Sequence, residues 1–175
     1  MDQLIARFRS TPDDDVKFET VRELEDHVAD PRAVAFLTEV VADPGEYDLA
    51  RIEGMKILAL WPPAPPALRA AAGRAIAAAL REDDELIRQY AAMSLGPYVD
   101  DPGVFAALST ALLHDDDSDV RHNALSSFEE AGPSGRTVEL LRRLDTGSLL
   151  GRSAARTVAE WARAATEDSR ADQGW

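Results

Sequence analysis

Cysteine is absent from this chain, and aromatic residues and long apolar runs are scarce. The lack of cysteine excludes disulfides, thiolate nucleophiles and cysteine-based zinc or iron–sulfur sites, and it suits a reducing cytoplasm. Only 6% of the residues are aromatic, which favours helices over sheets. No stretch approaches the roughly 18 apolar residues of a membrane span, and the charges within residues 1–7 do not fit a signal peptide. We therefore expect a cytoplasmic protein without a membrane segment.

Basic residues are also few: the chain has 19 of them and 32 acidic residues, which gives a net charge of −13. Such a charge keeps a protein soluble but repels phosphate backbones, whose binding depends on many Lys and Arg contacts. Nucleic acid is therefore a disfavoured partner, whereas a protein or peptide, including a basic one, is a favoured one. The length of 175 residues is enough for one domain with a sizeable core.

One basic residue recurs along the chain in steps of 34, 37, 33 and 31 residues. The five copies are Lys17, Arg51, Arg88, Arg121 and Arg152. Small or apolar residues hold the positions one before, three after and seven after each copy, apart from a threonine three places after the first. A fixed period in this range is typical of stacked repeat proteins, so we expect each repeat to be one structural unit.

Turn residues divide the chain into about ten helices, which we read as five pairs. The first members are predicted at 2–9, 31–42, 64–81, 102–113 and 134–144, and the second at 14–29, 46–60, 84–98, 118–130 and 148–165. Each second helix follows an acidic or hydroxyl-bearing turn, whose side chains suit an N-cap. We expect a single domain over residues 1–165 and a polar, frayed tail over residues 166–175.

The start of the fourth second helix, Asp117-Ser118-Asp119-Val120-Arg121-His122-Asn123-Ala124, resembles the HEAT-repeat family of HEAT-like, PBS-lyase-type helical repeats. A second copy stands at residues 84–92 and a partial one at residues 14–17. The resemblance implies an all-α, right-handed α-α superhelix of about five helix pairs. It also implies ladders of acidic and basic residues between neighbouring units. The residues concerned are Asp15, Lys17, Asp48, Arg51, Arg88, Asp119 and Arg121.

The outward side of the second helices is the predicted binding surface. Counting each basic residue as position 0, positions +1, +5 and +8 point away from the apolar side at about 100° per residue. In HEAT-like stacks the second helices line the concave surface, so the resemblance makes this stripe a groove. Apolar residues there suit a partner. The expected partner-binding residues are Phe18, Arg22, Ile52, Glu53, Lys56, Gln89, Tyr90, Met93, His122 and Ser126.

Two features of this surface leave alternatives open. Phe18 and Ile52 would instead pack under neighbouring helices if the helical phase is wrong by one position. The acidic turns at 13–15, 82–85 and 115–119 should align along one rim of the stack. That rim would either steer a basic partner or serve only as helix caps and solubility charge.

Catalytic and metal-binding motifs are missing from the sequence. There is no nucleophile elbow, phosphate loop or dinucleotide fingerprint, and the three histidines lack metal-ligand spacing. The run that begins at Asp115 resembles the start of a calcium loop, but Val120 and Ser126 occupy its sixth and twelfth places. We expect no catalytic residue, no metal and no cofactor.

The predicted function is that of a non-catalytic scaffold or adaptor that binds a protein or peptide on the concave second-helix face. One alternative is an acidic inhibitor or immunity-type protein that masks a basic enzyme. A further alternative is a HEAT-like enzyme acting on nucleic acid. It would have only Arg22 and Lys56 as groove cations, with Tyr90 and Glu53 as an aromatic–carboxylate pair. The oligomeric state is open.

Overall fold

The structure, a computed structural model, describes the backbone of residues 1–171 and the side chains of residues 1–167. Ten α-helices and no strand lie within that part of the chain, which confirms the predicted all-helical class. The first members of the pairs are α1 (Asp2–Ser10), α3 (Pro31–Ala42), α5 (Pro66–Ala79), α7 (Pro102–His114) and α9 (Gly135–Leu141). The second members are α2 (Asp14–Glu23), α4 (Asp48–Leu60), α6 (Glu85–Met93), α8 (Ser118–Ala131) and α10 (Leu149–Ala171).

Three second helices end elsewhere than predicted. Both α2 and α6 stop early and are followed by short 3₁₀ turns at Leu24–His27 and Gly96–Tyr98. For α6 the reason is Pro97, which has no amide hydrogen and restricts the backbone of the residue before it. Helix α10 instead continues past residue 165 to Ala171.

The extension of α10 enters the segment that the sequence predicts to be a tail. The side chains of residues 162–167 are all exposed, so this part of the helix adds nothing to the core. Residues 172–175 of the predicted tail lie outside the described residues. No helix in the described part of the chain is long and apolar enough to cross a membrane.

Short polar side chains begin most of the second helices. Asp13, Asp84 and Asp117 accept hydrogen bonds from first-turn amides of α2, α6 and α8. Ser148 does the same for α10, where its hydroxyl accepts from the amide of Gly151 at 3.0 Å. Carboxylates at these sites satisfy orphan amides and complement the helix dipole. One aspartate in each of these three acidic turns is therefore a cap.

The helix pairs stack in two layers with the core between them. Helices α2, α4, α6, α8 and α10 contact one another in chain order, and α3, α5 and α7 do likewise. Positions −1, +3 and +7 face inward as predicted in the middle repeats; in the third these are Ile87 and Ala91 of α6 and Leu95 just after it, each at most 1% exposed. Because each pair buries its apolar side against its neighbours, the repeats form a helical solenoid.

The recurring basic residue joins one repeat to the next. Each of the first three copies bonds a carboxylate in the turn between the two helices of the following pair. The pairs are Lys17 with Glu46 at 2.6 Å, Arg51 with Glu82 at 2.5 Å and Arg88 with Asp115 at 3.0 Å. Arg51 is only 1% exposed, so its carboxylate partner replaces most of its water shell.

The acids that form this ladder are not all the expected ones. Asp15 and Asp119, which stand about 200° around the helix from the basic residue, are exposed and make no ion pair with a described residue of a neighbouring repeat. Arg121 donates instead to the carbonyl of Leu112 at 3.2 Å. Asp48, three residues before Arg51, does approach it, with 3.6 Å between carboxylate and guanidinium.

The last repeat is shifted by one residue from the predicted frame. Leu150 and Ala154 are buried and Val158 is partly buried, whereas Ala155 and Ala159 are exposed. Gly151 rather than Arg152 therefore occupies position 0. The backbone of Asp145 lies where a side chain on residue 151 would begin, so only glycine fits. The prediction for this unit was wrong because Arg152 lies 31 residues after Arg121 and so seemed to continue the series of basic residues, whereas position 0 of the last repeat is a glycine.

Replacing Arg51 by alanine should lower the free energy of unfolding by about 3–5 kcal/mol, since it leaves a carboxylate without its partner and opens space in the core. Arg152→Ala is the matched control, because the exposed Arg152 bonds only the carbonyl of Gly147, and it should change stability by less than about 0.5 kcal/mol. Urea unfolding followed by circular dichroism measures both. Equal effects would contradict the ladder as a stabilising element.

Gly151→Ala should destabilise the protein by about 1–3 kcal/mol, because the new methyl group overlaps the carbonyl of Asp145. Gly135→Ala is the control, since an added methyl group there meets no atom within 4 Å. That change should be neutral or stabilising by up to about 1 kcal/mol, as alanine favours helices. Thermal unfolding of the two variants side by side distinguishes steric overlap from a general effect of removing glycine.

Candidate functional site

The outward side of the second helices holds most of the residues predicted to bind a partner, at different depths. Five are exposed: Arg22, Lys56, Met93, His122 and Ser126. Four are partly buried: Phe18, Glu53, Gln89 and Tyr90. One, Ile52, is buried at 5% exposure and belongs to the core. Nine of the ten residues are therefore at least partly accessible, but of the three apolar ones, Phe18, Ile52 and Met93, only Met93 is exposed.

Ile52 was wrongly expected to face solvent. It stands at position +1, and the equivalent Gln89 shows what that position contacts, since its side-chain amide donates to Asp117 of the following repeat at 3.2 Å. In α4 and α6, position +1 thus lies beside the next helix pair, whereas His122 at the same position of α8 is exposed. The apolar Ile52 is covered by the neighbour, although the helical phase is the predicted one. Phe18, at the same position in the first repeat, is partly buried.

Two exposed leucines on this side were missed by the sequence argument. Leu49 of α4 and Leu86 of α6 are each 44% exposed, and Met93 of α6 is 43% exposed. Leu86 precedes Met93 by seven residues, so the two lie on the same side of α6, two turns apart. Leu49 holds the equivalent place on the neighbouring helix α4. We call Leu49, Leu86 and Met93 the apolar patch. The seven-residue spacing was the available signal.

Local contacts engage the polar residues around the apolar patch. Lys56 binds the carboxylate of Glu53 at 2.6 Å. The guanidinium of Arg22 lies 5.9 Å from the centroid of the Phe18 ring, which is a cation–π distance. His122 lies 2.7 Å through Nδ1 from the carbonyl of Ser118, its own helix. These contacts orient the side chains along the helices and leave them open to solvent on one side.

The acidic rim, which we define as residues 13–15, 82–85 and 115–119, divides into structural and free carboxylates. Beyond the caps and the ladder, six carboxylates in the rim make no hydrogen bond or ion pair with any described side chain or backbone group. They are Asp14, Asp15, Asp83, Glu85, Asp116 and Asp119. A hydrogen bond from the Val120 amide lowers the pKa of the capping Asp117. The hydrogen bond between Arg88 and Asp115 raises the pKa of Arg88.

The side chains of residues 1–167 do not form the arrangement that a metal ion needs. No group of three or more histidine and carboxylate side chains in that range is arranged to hold an ion. The carboxylate of Glu53, expected in the nucleic-acid alternative to act beside Tyr90, is instead only 13% exposed and bound to Lys56. The site consists of exposed leucine and methionine side chains on the neighbouring helices α4 and α6, with carboxylates at its edge.

Comparison with known proteins agrees with this architecture. The family model for HEAT repeats matches residues 73–167, more than half of the chain, and covers the helices from the middle of α5 into α10. No curated protein matches the sequence. HEAT repeats generally mediate protein–protein interactions and typically serve as non-catalytic scaffolds. The matched segment, the stacked helix pairs and the ladder between them together establish that this chain belongs to the HEAT-repeat family.

Proposed function

We propose that this protein is a non-catalytic scaffold that binds a protein or peptide segment on the outward, second-helix side of the stack. The observation that carries the proposal is the apolar patch on α4 and α6, whose three side chains are each more than 40% exposed. Burying such side chains under a partner is favourable by roughly 25 cal/mol per Å² of apolar surface. By resemblance to other HEAT repeats, this side is concave and would cradle an elongated segment.

The charges beside the apolar patch favour a partner that carries lysine or arginine. Asp48 directly precedes Leu49, and Glu85 directly precedes Leu86. Residues 1–134 hold 26 acidic and 12 basic residues, a net charge of −14. A segment with apolar anchors and basic flanks would complement both features, because opposite potentials speed encounter and fix the register of binding.

The absence of a catalytic role, of nucleic acid and of a cofactor belongs to the same proposal, as does a cytoplasmic location. The engagement of Glu53 by Lys56 supports it, since a paired carboxylate is a poor general base. The six free carboxylates of the acidic rim favour the second candidate, an inhibitor that masks a basic enzyme. The two differ in how binding depends on salt, because contacts between exposed charges are screened and apolar contacts are not.

Leu86→Asp combined with Met93→Asp should weaken partner binding by about tenfold or more, because a charge replaces each anchor. A phage-displayed peptide library selected on the wild-type protein, and counter-selected on this variant, supplies the ligands. Their dissociation constants are then measured at low and high salt. Enriched peptides should combine apolar anchors with lysine or arginine and keep most of their affinity at about 0.5 M salt.

Leu149→Asp is the matched control, since Leu149 is 74% exposed and holds the equivalent place on α10, two second helices away from the part of the patch on α6. This variant should bind selected peptides like the wild type. Ile52→Asp should instead unfold the protein, with a loss of about 3 kcal/mol or more, because it places a charge in the core. Peptides that bind all exposed-residue variants equally would contradict the proposed surface. Affinity that vanishes at high salt would favour the inhibitor.

A further inference from the structure

The two ends of the stack carry charges of opposite sign. The first repeat, residues 1–30, has nine acidic and four basic residues, a net charge of −5, whereas residues 135–167 have six arginines against four acidic residues, a net charge of +2. Within the described side chains of this last repeat, five arginines form no ion pair. They are Arg142, Arg143, Arg152, Arg156 and Arg163. The last described repeat is thus basic, whereas the first is acidic.

Contacts inside the stack identify the side of a second helix that faces the following repeat. At position +1, Gln89 donates to Asp117 of that repeat, and at position +8, Gly96 lies directly against Glu130. Counted from Gly151, positions +1 and +8 of α10 are Arg152 and Ala159, and both are exposed.

Ala155 and Arg156, at positions +4 and +5 of α10, complete the same side. In α4, α6 and α8 the residue at position +4 is Met55, Ala92 or Leu125, and each is at most 3% exposed. Ala155 is exposed instead, because no described residue follows α10 in the stack. This end of the solenoid is therefore a surface of alanines edged by arginines. The alanines allow another helix to approach closely.

Other contacts identify the side that faces the preceding repeat. At position +2, Asn123 donates to the carbonyl of Gln89 at 3.1 Å, and at position +6, Ser127 donates to the carbonyl of Ala92 at 2.6 Å. In the first repeat, where α2 has no described pair before it, these positions are Glu19 and Glu23. Their side chains are 57% and 50% exposed.

We infer that the basic end of one copy stacks on the acidic end of a second copy and continues the solenoid head to tail. Between α6 and α8, position +1 opposes position +2, and positions +4 and +5 oppose position +6. The same register sets Arg152 opposite Glu19 of a second copy and Arg156 opposite its Glu23. The internal register of the repeats thus aligns two charge pairs between copies.

Glu19 and Glu23 already form ion pairs within their own chain, but these pairs can be exchanged for pairs with the arginines of a second copy. Glu19 bonds Arg22 at 3.2 Å and Glu23 bonds Arg7 at 2.9 Å, and all four side chains are at least 40% exposed. Exposed ion pairs of this kind are weak. Because the two surfaces differ, the contact is heterologous and leaves a free end on each assembly, so association grows with concentration instead of stopping at a dimer.

Sedimentation velocity of the full chain tests the inference. At about 0.02 M salt the average mass should rise with concentration to at least twice the 19.0 kDa of the monomer, and it should return to the monomer at about 0.5 M salt. The double variants Arg152→Glu/Arg156→Glu and Glu19→Arg/Glu23→Arg should each remain monomeric at low salt, because both ends then have the same sign.

An equimolar mixture of the two double variants should associate again, since each offers ends that match the other. The quadruple variant, which has the wild-type net charge, should also self-associate. Arg74→Glu/Arg81→Glu is the control for charge alone, as both arginines are exposed and neither makes an ion pair with a described residue. It should associate like the wild type. Circular dichroism confirms that every variant is folded.

Three outcomes would overturn the inference. One is a wild-type protein that stays monomeric at low salt up to about millimolar concentration. Another is self-association of either double variant at wild-type strength. The third is failure of both the mixture and the quadruple variant to associate, which would mean that the ends do not oppose each other in this register. None of these variants alters the apolar patch, so the result is independent of peptide binding there.

Discussion

The ion pair between the basic residue of one repeat and a carboxylate of the next sets the geometry of this protein. A guanidinium as deeply buried as that of Arg51 has lost nearly all its water, so the chain must place a carboxylate beside it. Glu82 fulfils this at 2.5 Å from a turn about thirty residues later. The bond raises the pKa of Arg51 and holds its charge in place. Three such pairs join the first four helix pairs to one another.

The same turns also begin the second helices, which explains much of the acidity of the chain. In the turn before α8, Asp115 binds Arg88 of the preceding repeat while Asp117, two residues later, caps the helix and bonds Gln89. Two neighbouring carboxylates thus serve two different structural purposes. Only what remains, the free carboxylates and the exposed side chains of the second helices, is open to partners. The apolar patch differs from this surrounding surface because leucine and methionine side chains form no hydrogen bonds with water.

The ends of the stack differ from its middle because a repeat at either end has one side without a neighbour. Position 0 of the last repeat is a glycine, and position +4 there is an alanine whose equivalents in α4, α6 and α8 are buried. In the first repeat, Glu19 and Glu23 stand where Asn123 and Ser127 of α8 bond the preceding helix. Terminal repeats are expected to carry a polar outer side. Opposite signs at the two ends go beyond that requirement, since like signs would keep the protein equally soluble.

The sequence by itself determined the fold class, the five pairs, the acidic caps and the inward side of the middle helices. These features are local: they depend on spacing, turn residues and helical period, which can all be read along the chain. Tertiary structure decided what depends on the neighbouring repeat. It placed Ile52 in the core and Leu49 and Leu86 on the surface, because the side covered by the next pair begins at position +1. It also chose Glu46, Glu82 and Asp115 as ladder partners and shifted the last repeat onto Gly151. Those outcomes depend on contacts between residues about thirty positions apart, and a single helix period carries no information about them.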